Sequence, residues 1–202
     1  TVAIASFWLT PRLPRFRKQY PDVEIRVVVS DPPLELETEG IDLGLRYGDG
    51  DWPGLDAVHL YEVESFPVCS PGYLNSHHAI IAPADLVHHP LLNLDGVLHD
   101  SEDWVWWLNG IGAGRPDESR LDMVGFDNYA NVMQAAIDGQ GIALGFSRVV
   151  DELLERGRLV RAVDAVLSPG HGVYLVAPAN GTRTASAARF YDWILREADQ
   201  PG

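Results

Sequence analysis

Two places in the sequence set a small polar side chain beside aromatic rings where a helix is expected to begin. They are Ser6-Phe7-Trp8 and Asp127-Asn128-Tyr129. The first turn of a helix has backbone N–H groups without intrahelical partners and carries the positive end of the helix dipole. In an open parallel sheet such ends gather at the carboxyl ends of the strands, where small ligands bind. Hydroxyl, carboxylate and amide groups next to aromatic surface suit a small-molecule pocket, and the N–H groups suit an anion. Arg46, expected just past a strand, is the nearest counter-charge for such a ligand, and a structural ion pair explains it as well. Ser6 and Asp127 serve equally as helix caps, and Trp8 and Tyr129 as core.

Other chemistry finds no constellation. The seven histidines include the pairs His77-His78 and His88-His89, but neighbours in sequence point apart and no zinc-ligand spacing occurs. Gly145-Phe146-Ser147-Arg148 lacks the second glycine of a nucleophile elbow. The clusters Gly110-x-Gly112-x-Gly114 and Gly139-x-Gly141-x-x-x-Gly145 fit neither dinucleotide nor P-loop patterns. Asp49-x-Asp51 with Gly54 fails as a calcium loop, since Pro53 and Leu60 stand where oxygen ligands belong. The single cysteine, Cys69, lies in the apolar run Phe66-Pro67-Val68-Cys69 and reads as a buried small hydrophobe. Trp104 and Trp107 share a helical face and read as packing, with Trp106 turned elsewhere. The expectation is a binding protein, not an enzyme, with no metal and no cofactor.

The elements that would position these residues alternate between the two kinds. Residues 2–5 read as a buried strand. A helix follows, with Leu9, Leu13, Phe16 and Tyr20 at helical spacing and its first turn disturbed by Pro11 and Pro14. Residues 23–29 alternate as a second strand, 34–39 form a short helix and 41–45 a third strand, together a βαβ arrangement with parallel strands. Residues 58–69 read as extended and 83–87 as a short helix. Strands over 91–94, 121–124, 142–146 and 173–177 then alternate with helices over 101–108, 128–138, 149–154 and 184–196. The class is α/β. Extended crossings near residues 61–69 and after 163 divide the chain into residues 1–64 with 169–202, and residues 65–168.

Composition narrows the function. The 202 residues are 46% hydrophobic, enough for a sizeable core, with a net charge of −14 that repels phosphate backbones and argues against nucleic-acid binding by these residues themselves. Arg12, Arg15, Arg17 and Lys18 then read as the wet face of the first helix. No apolar run approaches the ~20 residues that span a bilayer. One cysteine is compatible with a reducing cytoplasm.

Particular strings carry more than their physics. Trp8-Leu9-x-Pro11-Arg12-Leu13-x-x-Phe16, Tyr20-Pro21 and Asp42-Leu43-Gly44-Leu45-Arg46-Tyr47-Gly48 resemble the effector-binding domain of LysR-type transcriptional regulators. Gly50-Asp51-Trp52-Pro53-Gly54-Leu55, Pro67-Val68-Cys69-Ser70-Pro71 and Gln134-Ala135-Ala136-x-x-Gly139-x-Gly141-Ile142-Ala143-Leu144 resemble the subgroup containing the glycine-cleavage and β-lactamase activators. The resemblance implies two Rossmann-like subdomains in a type II periplasmic-binding-protein-like fold, with a small effector held between them. It implies a homodimer, a tetramer at full length, and DNA contact only through a winged helix-turn-helix expected to precede this chain. It places Ser6, Phe7, Trp8, Arg46, Asp127, Asn128, Tyr129 and Tyr174 at the effector site, Tyr174 on this ground alone. Amino acids, carboxylates and cell-wall fragments are the effector classes considered. A periplasmic solute-binding protein of a transporter shares the fold and is the alternative.

Overall fold

The computed structural model describes residues 1–95 and 103–200. In chain order its strands are β1 (Gly44–Gly48), β2 (Leu55–Glu62), β3 (Ser65–Cys69), β4 (Leu91–Leu94), β5 (Met123–Phe126), β6 (Ile142–Phe146), β7 (Val160–Arg161) and β8 (Gly172–Pro178). The α-helices are α1 (Thr10–Gln19), α2 (Pro71–Ser76), α3 (Trp104–Gly110), α4 (Tyr129–Ile137), α5 (Asp151–Glu155) and α6 (Ala185–Ala198). The chain divides into one unit of Thr1–Val63 with Gly170–Gly202 and a second of Glu64–Pro169.

The second unit has a five-stranded sheet in the order β5-β4-β6-β3-β7. β4 is parallel to β5 and to β6, while β3 runs antiparallel to β6 and β7. Each parallel step needs a crossover, and α4 provides one between β5 and β6. α4 forms where Tyr129, Val132, Met133 and Ala136 repeat at helical spacing, and all four are buried. Trp104 and Trp107 of α3 are fully buried and pack edge to face at 6.0 Å. Their indole N–H groups donate to the carbonyls of Leu92 and Ser65, both at 3.1 Å, so neither ring costs the unit an unpaired donor. The expected helix over 101–108 begins at Trp104, capped by Asp103; residues 101 and 102 lie outside the described residues. Cys69 is buried and its thiol is pushed up to about 12 by desolvation, so it is an inert core residue.

The first unit departs from expectation. Its sheet is three-stranded, β1-β8-β2, with β8 central and antiparallel to both neighbours. Residues 2–5 are helical and run through a π-helical turn (Ile4–Leu9) directly into α1, so no first strand forms. Four residues, two of them alanine, with no breaker before Pro11, give a strand little to hold it against helix propagation. Residues 23–29 then pair with no strand, because the neighbour that would complete their ladder is helical. Val27, Val28 and Val29 are each 40–47% exposed. The expected βαβ arrangement is therefore absent from this unit. The short helix expected over 34–39 is one hydrogen-bonded turn, closed by Ile41 N–H on the Leu36 carbonyl at 2.8 Å.

α1 and α6 pack on one another within this unit. Fully buried Phe16 meets Phe190 at 4.9 Å and Trp193 at 5.2 Å, both edge to face. Arg15 pairs with Glu197 at 2.8 Å and Arg189 with Asp22 at 3.1 Å along the rim. Glu197 is buried, whereas the Arg189–Asp22 pair is exposed and contributes at most about 1 kcal/mol, less than the aromatic cluster.

Candidate functional site

In the second unit, parallel β4 and β5 end side by side at Leu94 and Phe126, and the chain turns from Phe126 through Asp127 and Asn128 into α4. Sequence reasoning assigned the cap to Asp127. The cap is Asn128, in extended backbone, whose Oδ1 accepts from the Ala130 N–H at 2.8 Å. Asp127 stands one residue too early for its side chain to reach the first turn, and it is exposed. Capping uses the amide oxygen of Asn128 and leaves its Nδ2, with two N–H donors, as the group with which this residue can meet a ligand.

Tyr129 follows, buried, with its hydroxyl donating to the Leu144 carbonyl at 3.2 Å and its ring 5.5 Å from Phe146. Burial raises its phenol pKa, so it remains a neutral donor. Leu92, Asn93, Leu94, Tyr129, Val132, Leu144 and Phe146 line a recess of about 300 Å³ that includes adjoining solvent.

A carboxylate borders this edge. Asp95 accepts from Asn93 Nδ2 at 2.8 Å, and its backbone N–H donates to the Phe126 carbonyl at 2.7 Å. Its side chain crosses Gly125 so closely that a Cβ there would lie 1.8 Å from Oδ2. The sequence offered no motif for Asn93, Asp95 or Phe146. Their common signal is position at the ends of β4 and β6, legible only once the strand order is known.

In the first unit the expected residues divide. Arg46 on β1, Tyr174 on β8 and His59 on β2 are register partners across the sheet and so share one face. Trp52 packs on two of them: its ring lies 5.5 Å from Tyr174 at a steep angle and 5.7 Å from the Arg46 guanidinium. His59 meets Tyr174 edge to face at 5.1 Å, and the Tyr174 hydroxyl donates to the Asp49 carbonyl at 3.3 Å. Arg46 donates to the Leu34 carbonyl at 2.6 Å and so anchors the preceding loop. Gly50 has to be glycine, since its φ is +92° and a Cβ would meet the Tyr174 ring at 2.7 Å.

Ser6, Phe7 and Trp8 are not at a helix N-terminus. They lie within the π-helical turn, whose N-terminal flank is Ala3. Ser6 is exposed and Phe7 half-buried. Trp8 is buried, 5.8 Å from the Tyr61 ring, with the Arg12 guanidinium 5.0 Å over its face and donating to its carbonyl at 2.9 Å. Trp8 is a core residue and not a wall open to a ligand. Among the described residues, no group of three or more histidine, cysteine or acidic side chains is placed to hold a metal ion.

The LysR substrate binding domain family model matches residues 1–199. The chain belongs to that family. This LysR domain is 33% identical over 198 residues to the glycine cleavage system transcriptional activator of Escherichia coli K12, covering 97% of this chain and 62% of that protein. It is 29% identical over 194 residues to the transcriptional activator AmpR of Rhodobacter capsulatus, covering 96% and 63%. The chain thus spans less than two thirds of the relatives it matches. Among solved structures, the LysR domain resembles the effector domain of AmpR from Pseudomonas aeruginosa, with a TM-score of 0.78 and 26% identity over 97% of this chain and 91% of that one. The AmpR effector binding domain from Citrobacter freundii shares the fold, with a TM-score of 0.80 and 24% identity over 97% and 94%. The α/β class and the periplasmic-binding-protein-like fold follow from these matches together with the two sheets.

Proposed function

We propose that this domain is the small-molecule sensor of a LysR-type transcriptional regulator. The observation that carries the reading is the family match along residues 1–199, with relatives that are transcriptional activators. Those relatives favour the regulator over a transporter's solute-binding protein and over an enzyme. In the second unit the effector meets Asn128 Nδ2 and the first turn of α4, with Asp127, Tyr129 and Phe146 alongside. In the first unit it meets Arg46 and Tyr174, and the exposed Ser6 with Phe7. The Asn128 Nδ2 donors and a favourable dipole at the start of α4 suit a small polar or anionic effector. Effector binding then biases which arrangement of the domain is populated, and does so only to the extent that it favours one state.

The remaining partners are part of the same proposal. DNA contact belongs to a segment outside this sequence, in keeping with the −14 charge here. The regulator works as a homodimer, or a tetramer at full length, in the cytoplasm where its DNA lies. No helix among the described residues is long and apolar enough to cross a membrane.

A thermal-shift screen against amino acids, small carboxylates and cell-wall fragments tests the reading. A specific ligand at 100 times its Kd should stabilise the domain by about 2.7 kcal/mol. Asn128→Ser, which keeps a capping oxygen and removes the amide N–H donors, should then weaken binding by about 0.5–1.5 kcal/mol without unfolding. Unchanged affinity for that ligand in both Asn128→Ser and Tyr174→Phe would place the site elsewhere.

A further inference from the structure

We propose that His89 is a pH-controlled pin holding α2 to the start of β4, closed when its ring is neutral and opened by acid. His89 is buried, and its Nδ1 lies 3.0 Å from the Tyr73 hydroxyl across a 16-residue separation. Tyr73 belongs to α2 and is itself buried; desolvation pushes its phenol up to about 12, so at any physiological pH it carries its proton. With the ring proton on Nε2, the bare Nδ1 accepts from that hydroxyl. Once Nδ1 is protonated it can only donate, so the Tyr73 hydroxyl has to turn its own proton away and accept, and the bond reorganises.

The neighbourhood is poorly equipped to accept that charge. On the α2 side, His77 stacks on Tyr73 at 3.9 Å, its Nδ1–H donates to the Tyr73 carbonyl at 2.9 Å, and its ring lies 6.4 Å from His89. His78 follows it in the chain, and His88 precedes His89 at the end of the 3-10 turn Pro83–His88. Each adds repulsion to a charged His89. The opposing groups are Asp85, Asp122 and Cys69. The Asp85 carboxylate is already held by the Ile81 and Ala82 N–H groups at 2.9 Å, Asp122 acts on Tyr73, and the Cys69 thiol is neutral. Burial, followed by the three neighbouring histidines, holds the His89 pKa below its ordinary 6.5.

The sign of the pH effect follows. A histidine with a lowered folded pKa takes up its proton more readily unfolded, so its contribution is complete above 6.5 and is lost as pH falls through the folded value. In that window the opening constant rises up to tenfold per pH unit through this one group. α2 is six residues long, capped by Ser70 Oγ, which accepts from the Tyr73 N–H at 3.3 Å, and docked by Tyr73 and Leu74 on the apolar core, and the pin adds a polar tie from the same Tyr73 to the start of β4.

The test is an NMR titration of the 202-residue chain from pH 8 to 4.5, following histidine ring nitrogens, with amide exchange of α2 corrected for intrinsic rate. His89 should titrate below its ordinary 6.5, with α2 exchange accelerating in step while β4 and β6 remain protected. Tyr73→Phe removes the donor and keeps the ring, and should move the His89 titration upward. His89→Gln, which accepts from Tyr73 without titrating, should flatten the pH dependence of α2 exchange. A His89 that titrates at 6.5 or above overturns the proposal, as does α2 exchange that tracks the whole second unit. An unmoved titration in Tyr73→Phe overturns it too, whether or not His89→Gln folds.

Discussion

The two ends of the chain's early half behave differently for the same nominal pattern. Residues 23–29 alternate apolar and polar side chains and end in three valines, yet they pair with nothing and leave those valines 40–47% exposed. Residues 91–94 are shorter and less regular, yet they form β4 with parallel partners on both sides and bury Leu91 and Leu92. Strand propensity is a statement about fit to neighbours, and the neighbours decide. β4 has β5 and β6. Residues 23–29 depended on residues 2–5, which the helix absorbed.

Perturbing both units sharpens that contrast. The largest effect belongs to the second unit's core: Trp107→Ala should cost about 3–5 kcal/mol, read by urea unfolding, because it empties a fully buried site and removes one of the two hydrogen bonds to the Ser65 carbonyl. Next, Gly141→Ala places a Cβ 2.5 Å from the Pro90 carbonyl oxygen at the joint of β4 and β6. Backbone cannot swing aside as a side chain does, so overpacking of about 1–3 kcal/mol is expected in the same measurement. Asn128→Ala removes the α4 cap and should cost about 1 kcal/mol, with faster amide exchange confined to the first turn of α4. Smallest is Val28→Thr in the unpaired segment, expected within about 0.5 kcal/mol of the parent in chemical denaturation. A loss above about 1 kcal/mol there would mean that the segment pairs as a strand after all, and the contrast would collapse.

Legibility followed the same division. The helix over Tyr129, Val132, Met133 and Ala136 was plain from its period, and Trp104 and Trp107 as core followed from their shared face. Asn128 was singled out, but the cap was assigned to Asp127, a one-residue error that sequence alone cannot resolve because both side chains cap well. The placing of Ser6 and Trp8 at a strand–helix junction depends on a strand over 2–5; that stretch is helical, so the helix start lies at residues 2–4, where Val2 N–H donates to Asp31 and Ile4 N–H to Thr1, and Trp8 is in the core. Arg46 and Tyr174 were chosen for separate reasons, and only the antiparallel register of β1 with β8 made them neighbours. Asn93, Asp95 and Phe146 had no local signal at all. They are site candidates because of which strand ends lie side by side, a property of topology.

The most direct test of the sensor reading is an amide and side-chain NMR map of the chain, titrated with the strongest hit from the amino-acid, carboxylate and cell-wall-fragment screen. The account predicts shifts concentrated at Asn93, the Asn128 side-chain amide, the first turn of α4 and Phe146, with Arg46 and Tyr174 responding in the first unit. Shifts confined to other surfaces, with the Asn128 amide and the start of α4 unmoved at saturation, would contradict it.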